Sequence, residues 1–288
     1  MVLTLRTPTP ESLAEAMDVL AGWQEDQALL QLHPGDVGWH IRFGLARTAE
    51  ALRTWSRGGQ ILAIGLLDAP DLLRLAIAPH AQQDRSLAQD LLQQLEARGS
   101  GAPLSQVTSL ELPTGALLRG LLERCGWRRG EEWTPLRWDL EPEVPDPGMR
   151  MEVVGPELAR ARAQLQRASF EGSTFTVQRW HTMAAGPTYR HARCLLAIDD
   201  HGEAVATTTV WSAGAGRSGL IEPLGVAAGQ RGMGYGRAIT RAAAATLREL
   251  GASSALVCTQ SANTAAVTAY CSAGFSAQPI RHDLVRER

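Results

Sequence analysis

The sequence predicts an α+β protein of mixed α/β type, with two tandem domains that each have a mixed, mostly antiparallel central sheet flanked by helices. Three observations predict this class. Strand and helix patterns are interleaved along the second half, a proline-rich segment divides the chain near its middle, and parts of the first half line up with parts of the second. The composition, 44% hydrophobic and 20% charged residues, is typical of a globular protein.

The dividing segment is EPEVPDPG, residues 141–148. It contains three prolines, three acidic residues and one glycine, and it has no periodic apolar pattern. We therefore expect a linker here, between a first domain at residues 1–140 and a second domain at residues 149–288. Both have an ordinary size for a domain.

The second half predicts elements in the order β-α-α-β-β-β-α-β-α-β. Apolar periodicity, turn residues and helix-ending glycines give their bounds. In chain order, they are a strand at 149–154, a helix from 156, a short helix at 177–185, strands at 193–199, 204–212 and 219–226, a helix at 236–250, a strand at 254–260, a helix at 263–273 and a final extended stretch.

The strand at 219–226 is unusual because it contains Pro223 and Gly225. Proline cannot donate a ladder hydrogen bond, and glycine weakens a strand interior. We expect a bulge or a splayed strand here, with unpaired backbone groups that an extended, amide-containing ligand could use.

A glycine-rich loop follows this strand. Gly232, Gly234 and Gly236 alternate after Arg231 and lead into a helix, which is the chemistry of an anion site at a helix N-terminus. The G-x-G-x-G spacing differs from the dinucleotide fingerprint, and no acidic residue follows before Glu249. A P-loop needs a lysine, and the chain has none. The plain alternative is a glycine-rich turn that only begins a helix.

Two segments, LGVAAGQRGMGYGRAI (224–239) and NTAAVTAYCSAGF (263–275), carry a resemblance. The segment 224–239 contains R-x-x-G-x-G and resembles the pyrophosphate loop of GNAT-type N-acetyltransferases, and the segment 263–275 resembles a later helix of that family. The resemblance implies acetyl-CoA as co-substrate, no metal, and a splayed strand at the acyl-CoA site that pairs with pantetheine. The implied cofactor-binding residues are Leu224, Gly225, Val226, Arg231, Gly232, Met233, Gly234, Tyr235, Gly236, Arg237, Asn263 and Tyr270.

Two residues are candidates for catalysis. Tyr270 lies seven residues after Asn263, so the two share one helix face. The resemblance implies that Tyr270 protonates the departing thiolate and that Asn263 binds the cofactor; the alternatives are a core tyrosine and a helix N-cap. Glu222 alternates with Leu224 and Val226 and is our candidate base, with an ion pair to an arginine as the alternative.

The first half resembles another copy of the same fold that has lost its chemistry. An offset of 148 places Gly126 on Gly274, and Gly115 and Leu122 then stand where the second half has Asn263 and Tyr270. HAQQDRSL (80–87) replaces the loop and contains no glycine. We therefore expect a degenerate first domain and a catalytic second domain. Tandem chains of this family are known, the mycothiol synthases among them.

The acceptor is predicted less directly. Phe175, Trp180 and Trp211 could line a pocket, and Glu171 could attract a cation. The stretch HPGDVGWHIRFG (33–44) could shape an acceptor pocket between the domains. The alternative for these aromatic residues is ordinary packing.

Charge and cysteine content exclude several classes of function. The net charge of −2 offers no basic surface for nucleic acid or an anionic membrane. Four scattered cysteines and the absence of a signal-like N-terminus favour a cytoplasmic protein without a metal or disulfide framework. We expect a small-molecule amine acceptor and a monomer or homodimer. The rival functions are a non-catalytic acyl-CoA-binding regulator and a protein or peptide N-acetyltransferase.

Overall fold

The computed structural model describes residues 2–26, 30–97, 99 and 102–287. In this part of the chain there are thirteen strands and nine α-helices. The strands are β1 (Thr4–Arg6), β2 (Leu52–Arg57), β3 (Gln60–Ala69), β4 (Leu72–Ile77), β5 (Ser109–Glu111), β6 (Arg128–Asp139), β7 (Arg150–Val153), β8 (Ala192–Ile198), β9 (Ala204–Trp211), β10 (Ser218–Val226), β11 (Ser254–Gln260), β12 (Ser276–Ala277) and β13 (Arg281–Val285). The helices are α1 (Leu13–Gly22), α2 (Pro34–His40), α3 (Leu45–Ala51), α4 (Arg85–Glu96), α5 (Leu117–Arg124), α6 (Ala159–Ser169), α7 (Val177–Ala184), α8 (Tyr235–Glu249) and α9 (Thr264–Ala273).

All the described strands belong to one mixed sheet. Its order is β1-β2-β3-β4-β5-β13-β6-β11-β10-β9-β8-β7, with β12 paired to β6 outside this path. The pairs β4–β5 and β10–β11 are parallel, and the other neighbours are antiparallel. The predicted mixed, mostly antiparallel class is confirmed, and the second-half elements occur in the predicted order.

The two halves exchange their last strands, which the sequence did not indicate. β6 of the first half pairs with β11 from Asp139–Ser254 to Trp133–Gln260. β13, at the end of the chain, pairs with β5 and with β6. The exchange covers the edges that β5 and β11 would otherwise expose, and it makes one continuous sheet instead of two. The linker at 141–148 falls between β6 and β7, and the domain bounds stay a prediction.

The repeat predicted from the sequence is visible in the order of elements. β4-α4-β5-α5 in the first half corresponds to β10-α8-β11-α9 in the second. The sheet order is symmetric about the central pair of β13 and β6. In α8, Ile239, Ala243 and Leu247 are buried, and Leu250, which caps the helix, is half-buried. This repeat puts equivalent positions of both halves around the centre of the molecule.

Helix α2 carries part of the first half onto the second. Its two glycines lie so close to Trp211 that an added Cβ would be 2.6 Å from Trp211 at Gly35 and 2.4 Å at Gly38. Asp36, between them, is buried and points toward the central strands. The glycines of the stretch 33–44 therefore allow a close approach that brings a carboxylate to the centre.

The start of α2 is fixed by a buried histidine. His33 Nδ1 accepts a hydrogen bond from the Gly35 N–H at 2.9 Å, and the His33 N–H donates to Asp36 Oδ2 at 2.7 Å. His33 Nε2 lies 3.1 Å from the carbonyl of Ser218 in β10, so Nε2 carries the proton and donates it. Burial lowers the pKa of His33, which keeps the ring neutral. The histidine thus ties the first half to the base of β10.

We predict that Gly38→Ala destabilises the protein. The new methyl group would overlap the Trp211 ring, and overpacking of this kind typically costs about 1–3 kcal/mol. Gly22→Ala is the matched control, because nothing lies within 4 Å of a Cβ at Gly22. Chemical unfolding measures the stability of the two variants. Equal stabilities would contradict the close approach of α2 to Trp211.

Candidate active site

The regular pairing of β10 with both of its neighbours, β9 and β11, is interrupted near the middle of the strand. It pairs with β11 only from Ser218 to Leu220. Its register with β9 shifts between Ile221 and Leu224, which places a bulge at Glu222 and Pro223. The predicted splayed strand is present. Beyond Leu220, the backbone groups of β10 that face β11 are not paired with β11. An extended ligand can therefore pair with them.

Side chains of β9 hold the bulge. Trp211 Nε1 donates a hydrogen bond to the carbonyl of Glu222 at 2.7 Å, and Thr208 Oγ1 donates to the carbonyl of Pro223 at 3.0 Å. These two bonds satisfy carbonyls that the interrupted ladder leaves unpaired. Trp211 therefore positions Glu222 from behind.

The glycine-rich loop presents open backbone at the start of α8. Gly232 and Gly234 have φ of 82° and 88°, a region that favours glycine, and nothing lies within 4 Å of a Cβ at either position. Gly234 is the N-cap of α8, and no side chain caps the helix. The N–H groups of the first turn are therefore available to an anion.

Arg231 braces this loop. Its Nη2 donates to the carbonyl of Ser169 at 3.0 Å, at the end of α6. Gly225 of β10 lies against the same helix end, because a Cβ there would be 2.6 Å from Ser169 and 2.7 Å from Phe170. The loop, β10 and α6 are thus held together around a groove.

The groove has a volume of about 670 Å³ and runs from the loop along β10 to α9. Ten of the twelve residues predicted to bind the cofactor line it: Leu224, Gly225, Val226, Arg231, Gly232, Gly234, Gly236, Arg237, Asn263 and Tyr270. The other two, Met233 and Tyr235, line a neighbouring hollow instead, and Met233 is 61% exposed.

Helix α9 brings Asn263 and Tyr270 to one face, as their spacing predicts. Asn263 caps the helix, and its Oδ1 accepts from the Ala266 N–H at 3.2 Å. Tyr270 is 7% exposed, and its ring packs edge-on against Phe275. Its hydroxyl has no hydrogen-bond partner among the described residues. Burial, and then the charge of Glu222, raise the pKa of Tyr270, so the phenol keeps its proton at neutral pH.

A second cavity of about 470 Å³ meets this groove at Tyr270. Both are lined by Phe170, Leu224, Asn263, Ala266 and Tyr270. The rest of the cavity wall comes from β3, β4, β5, β6, β10, β11, β13 and the segment around α2, so both halves build it. We call it the central cavity.

An arginine of the first half gathers the carboxylates of the central cavity. Arg74 Nη1 lies 3.0 Å from Asp36 Oδ1 and 3.9 Å from Glu222 Oε1, and Arg74 Nε donates to Glu111 Oε2 at 3.1 Å. Asp68 Oδ2 is 3.7 Å from the same guanidinium. The alternative interpretation of Glu222, an ion pair with an arginine, is therefore partly met by its contact with Arg74.

The charge balance leaves Glu222 a weak acid. Burial raises its pKa most, and the charge of Asp36 raises it further, against a smaller opposing effect of Arg74. Glu222 still exposes 31% of its side chain, on the cavity side. A carboxyl group of this kind accepts a proton readily once it is ionised.

Arg74 and Glu222 are equivalent positions of the repeat. The offset of 148 that places Gly126 on Gly274 also places Arg74 on Glu222. The first half thus has a cation where the second has a carboxylate, and the two lie side by side. The repeat offset aligns these two positions in the sequence, but only the structure shows that their side chains lie close together.

The residues predicted for the acceptor lie elsewhere. Phe175 and Trp180 are 3% and 4% exposed, and Phe175 stacks on Trp39 at 5.2 Å. Trp211 is buried behind the bulge, and Glu171 is exposed outside both cavities. Trp211 donates to the carbonyl of Glu222, but none of the four residues lines the groove or the cavity that holds the Glu222 and Tyr270 side chains.

Three more side chains of the central cavity were missed by sequence reasoning. Burial raises the pKa of Cys258 to about 12, so its thiol stays protonated. Gln31 is 5% exposed and its Nε2 has no hydrogen-bond partner in the described chain. Asp283 is 8% exposed, and its Oδ1 also lacks such a partner. Their sequence segments carry no motif. Asp283 reaches the cavity because strand exchange brings β13 here.

The first half has closed the equivalent anion site. Asp84 caps α4, and its Oδ1 accepts from the Leu87 N–H at 2.9 Å, where α8 has no side-chain cap. Arg57 pairs with the same carboxylate at 2.7 Å. Leu122, at the position of Tyr270, is fully buried. A fixed carboxylate at this helix start repels a phosphate.

Membrane spans and metal sites are absent from the residues that the structure describes. None of the helices in this part of the chain is long and apolar enough to cross a membrane. No group of three or more histidine, cysteine, aspartate or glutamate side chains among the described residues is arranged to hold a metal ion.

Residues 159–275 match the family model described as Acetyltransferase (GNAT) family. This range contains β10, the loop, α8 and α9, which are the elements that build the groove. The match therefore covers most of the predicted second domain, residues 149–288.

Known proteins resemble the whole chain. A mycothiol acetyltransferase of Geodermatophilus obscurus is 28% identical over 91% of this chain and 87% of its own length. A GNAT-family acetyltransferase structure from Colwellia psychrerythraea has a TM-score of 0.65 at 15% identity and covers 99% of both chains. A tandem GNAT protein from the clavulanic acid biosynthesis pathway has a TM-score of 0.62 at 17% identity over 99% of this chain and 98% of its own. The structural matches support the tandem fold.

Proposed function

We propose that this chain, an acyltransferase that carries a GNAT acetyltransferase domain, moves an acetyl group from acetyl-CoA directly to the amine of a small molecule. One observation carries the proposal. The groove beside β10 and the central cavity meet at Tyr270, so a donor in one and an acceptor in the other would have their reactive ends together.

The groove fits the donor. A pyrophosphate would bind to the N–H groups that follow Arg231, at the uncapped start of α8. The pantetheine arm would then run beside Gly225 and pair with the side of β10 that β11 leaves free. The carbonyl oxygen of the thioester would lie near Leu224–Val226, where a free N–H can stabilise the developing oxyanion.

The residues at the junction fit the proton transfers. Glu222, with its raised pKa, would accept the proton of the amine, directly or through water. Tyr270, which keeps its proton, would donate it to the departing thiolate. Burial keeps the proton on the Cys258 thiol, so a covalent acyl-enzyme on this thiol is disfavoured. The parts present suit direct transfer.

The walled central cavity favours a small acceptor over a protein. Its volume of about 470 Å³ is in the usual range for a small-molecule site. The name of the Geodermatophilus obscurus relative adds a mycothiol-related amine to the candidates. The rivals are an acyl-CoA-binding protein without turnover and a peptide N-acetyltransferase.

The function is tested by steady-state release of the CoA thiol with a panel of small amines and with amine-terminated peptides. The proposal expects turnover with at least one small amine. Turnover with peptides alone would favour the peptide rival. Binding of acetyl-CoA without thiol release for any amine would favour the regulator.

Gly236→Ala separates stability from donor binding. A Cβ at Gly236 would lie 3.7 Å from Val226 and 3.8 Å from Ala269, which is ordinary contact, and alanine favours helix. We expect an unchanged or higher melting temperature and an affinity for acetyl-CoA that falls at least about tenfold, because the methyl group enters the groove.

Calorimetry should find one acetyl-CoA site per chain of the unmodified protein. Two sites, or full affinity in the variant, would contradict the placement of the donor.

Tyr270→Phe removes the proposed acid but keeps the ring against Phe275. We expect kcat to fall by at least about tenfold with little change in acetyl-CoA affinity, because the hydroxyl acts mainly in the transition state. Turnover at the normal rate would remove Tyr270 from the mechanism. Turnover that falls together with acetyl-CoA affinity would indicate a binding role instead.

Asp36→Asn should change the pH dependence through Glu222. A base with a raised pKa becomes active only as pH rises through that pKa. After burial, the charge of Asp36 is the largest cause of the raised pKa, so its removal lowers the pKa. We expect the acidic limb of kcat/KM to move to lower pH, and Arg74→Met to move it to higher pH. Asp18→Asn, on the surface, is the control; equal profiles for all of these would exclude Glu222 as the base.

A further inference from the structure

Six consecutive strands of the sheet line the central cavity. In sheet order they are β4, β5, β13, β6, β11 and β10, and each of them contributes residues to its wall. The two ends of this series are joined by side chains, because Arg74 of β4 lies 3.9 Å from Glu222 of β10. The strands therefore form a ring that side chains close.

This ring places Asp283 across the cavity from Glu222. β13 is three strands away from β10 in either direction around the ring. Glu222 stands beside Tyr270, where the donor groove enters, and Asp283 stands on the opposite wall. A molecule that reaches from the junction across the cavity would end at Asp283.

Asp283 has one carboxylate oxygen without a partner among the described residues. Its Oδ2 accepts from Trp133 Nε1 at 2.9 Å, while Oδ1 is buried without a hydrogen bond from any described residue. The nearby Arg281 directs Nη1 to the carbonyl of Leu30 at 3.3 Å and forms no ion pair with Asp283. Burial raises the pKa of Asp283 to about 6, so it is ionised at neutral pH. A buried carboxylate oxygen of this kind is costly unless a ligand donates to it.

The charge of the cavity wall is negative. The acidic members are Asp36, Asp68, Glu111, Glu222 and Asp283, and the basic members are Arg74 and Arg281. Arg74 lies within ion-pair distance of the first four, and Asp283 is not among its partners. The group that meets Asp283 should therefore be a cation with an N–H to donate.

We propose that the acceptor carries a second cationic nitrogen besides the amine that is acetylated, and that Asp283 binds it. The acceptor class is thus a diamine or a longer amine with two cationic groups. One nitrogen lies between Glu222 and Tyr270 in its neutral form and attacks, and the other stays protonated at Asp283. This inference rests on the proposed function and names the substrate class of the same site.

The probes are the α,ω-diamines from 1,3-diaminopropane to 1,8-diaminooctane. Each is compared with the monoalkylamine of the same length and with the ω-amino acid that has a carboxylate at the far end. The monoamine lacks the group for Asp283, and the amino acid has a group that Asp283 repels. Thiol release gives kcat and KM, and calorimetry in the presence of CoA gives binding without turnover.

In the unmodified protein we expect at least one diamine to exceed its monoamine by about 10–100-fold in kcat/KM, through KM, since a charge-assisted hydrogen bond has about this effect. In Asp283→Asn the ratio should fall to near one while kcat stays within about twofold. Trp133 can still donate to the new amide oxygen, and Asp283→Ser is a second variant if the first does not fold. Asp18→Asn is the matched surface control and should keep the ratio.

The outcomes distinguish this inference from the proposed function. Turnover of amines without a diamine preference, or a preference that Asp283→Asn leaves intact, overturns the inference and keeps the function. Diamine binding that Asp283→Asn abolishes, without thiol release for any amine, supports the inference as a binding site and overturns the function. Absence of both diamine binding and diamine turnover overturns the inference.

Discussion

The separation of β10 from β11 beyond Leu220 is the constraint on which the site depends. A regular ladder at this point would close the groove and remove the path from the α8 N-terminus to the centre of the molecule. The bulge at Glu222 and Pro223 prevents that ladder, and Trp211 and Thr208 satisfy the carbonyls that it exposes. The opening is therefore a stable feature of the fold, and the groove and the central cavity meet there.

Residues of both halves contribute to one site. The second half keeps the open glycine loop and Tyr270, whereas the first half has Asp84 at its helix start and Leu122 in the core. The first half instead supplies Arg74 and Asp36, which lie against Glu222. Strand exchange makes this possible, because it puts both sets of strands around one cavity. The first half can in this way set the charge around the candidate base of the second half.

Local chemistry could be predicted from the sequence. The order of elements in the second half follows from periodicity and turn residues, and the bulge follows from Pro223 and Gly225. The shared face of Asn263 and Tyr270 follows from helix geometry, and both line the groove. Each of these features is decided within a short segment, so its signal is present in that segment.

Long-range placement could not be predicted in the same way. The pattern of β13 is the same whichever sheet it joins, so Asp283 gave no signal, and the glycines of 33–44 gave no sign that Asp36 reaches Glu222. Trp211 was expected to line an acceptor pocket, but its hydrogen bond to the carbonyl of Glu222 could not be predicted, because bulk and polarity do not specify a neighbour. The offset that aligns Arg74 with Glu222 was the one available clue to the centre.

The central claim is that the donor lies over the N–H groups after Arg231 and beside β10. Amide hydrogen exchange with and without CoA tests it most directly, since bound amides exchange more slowly. The account predicts slower exchange in residues 224–237 and at the start of α9, with no change at residues 80–88 of the first half. Protection confined to the first half, or no protection in 224–237 at saturating CoA, would contradict it.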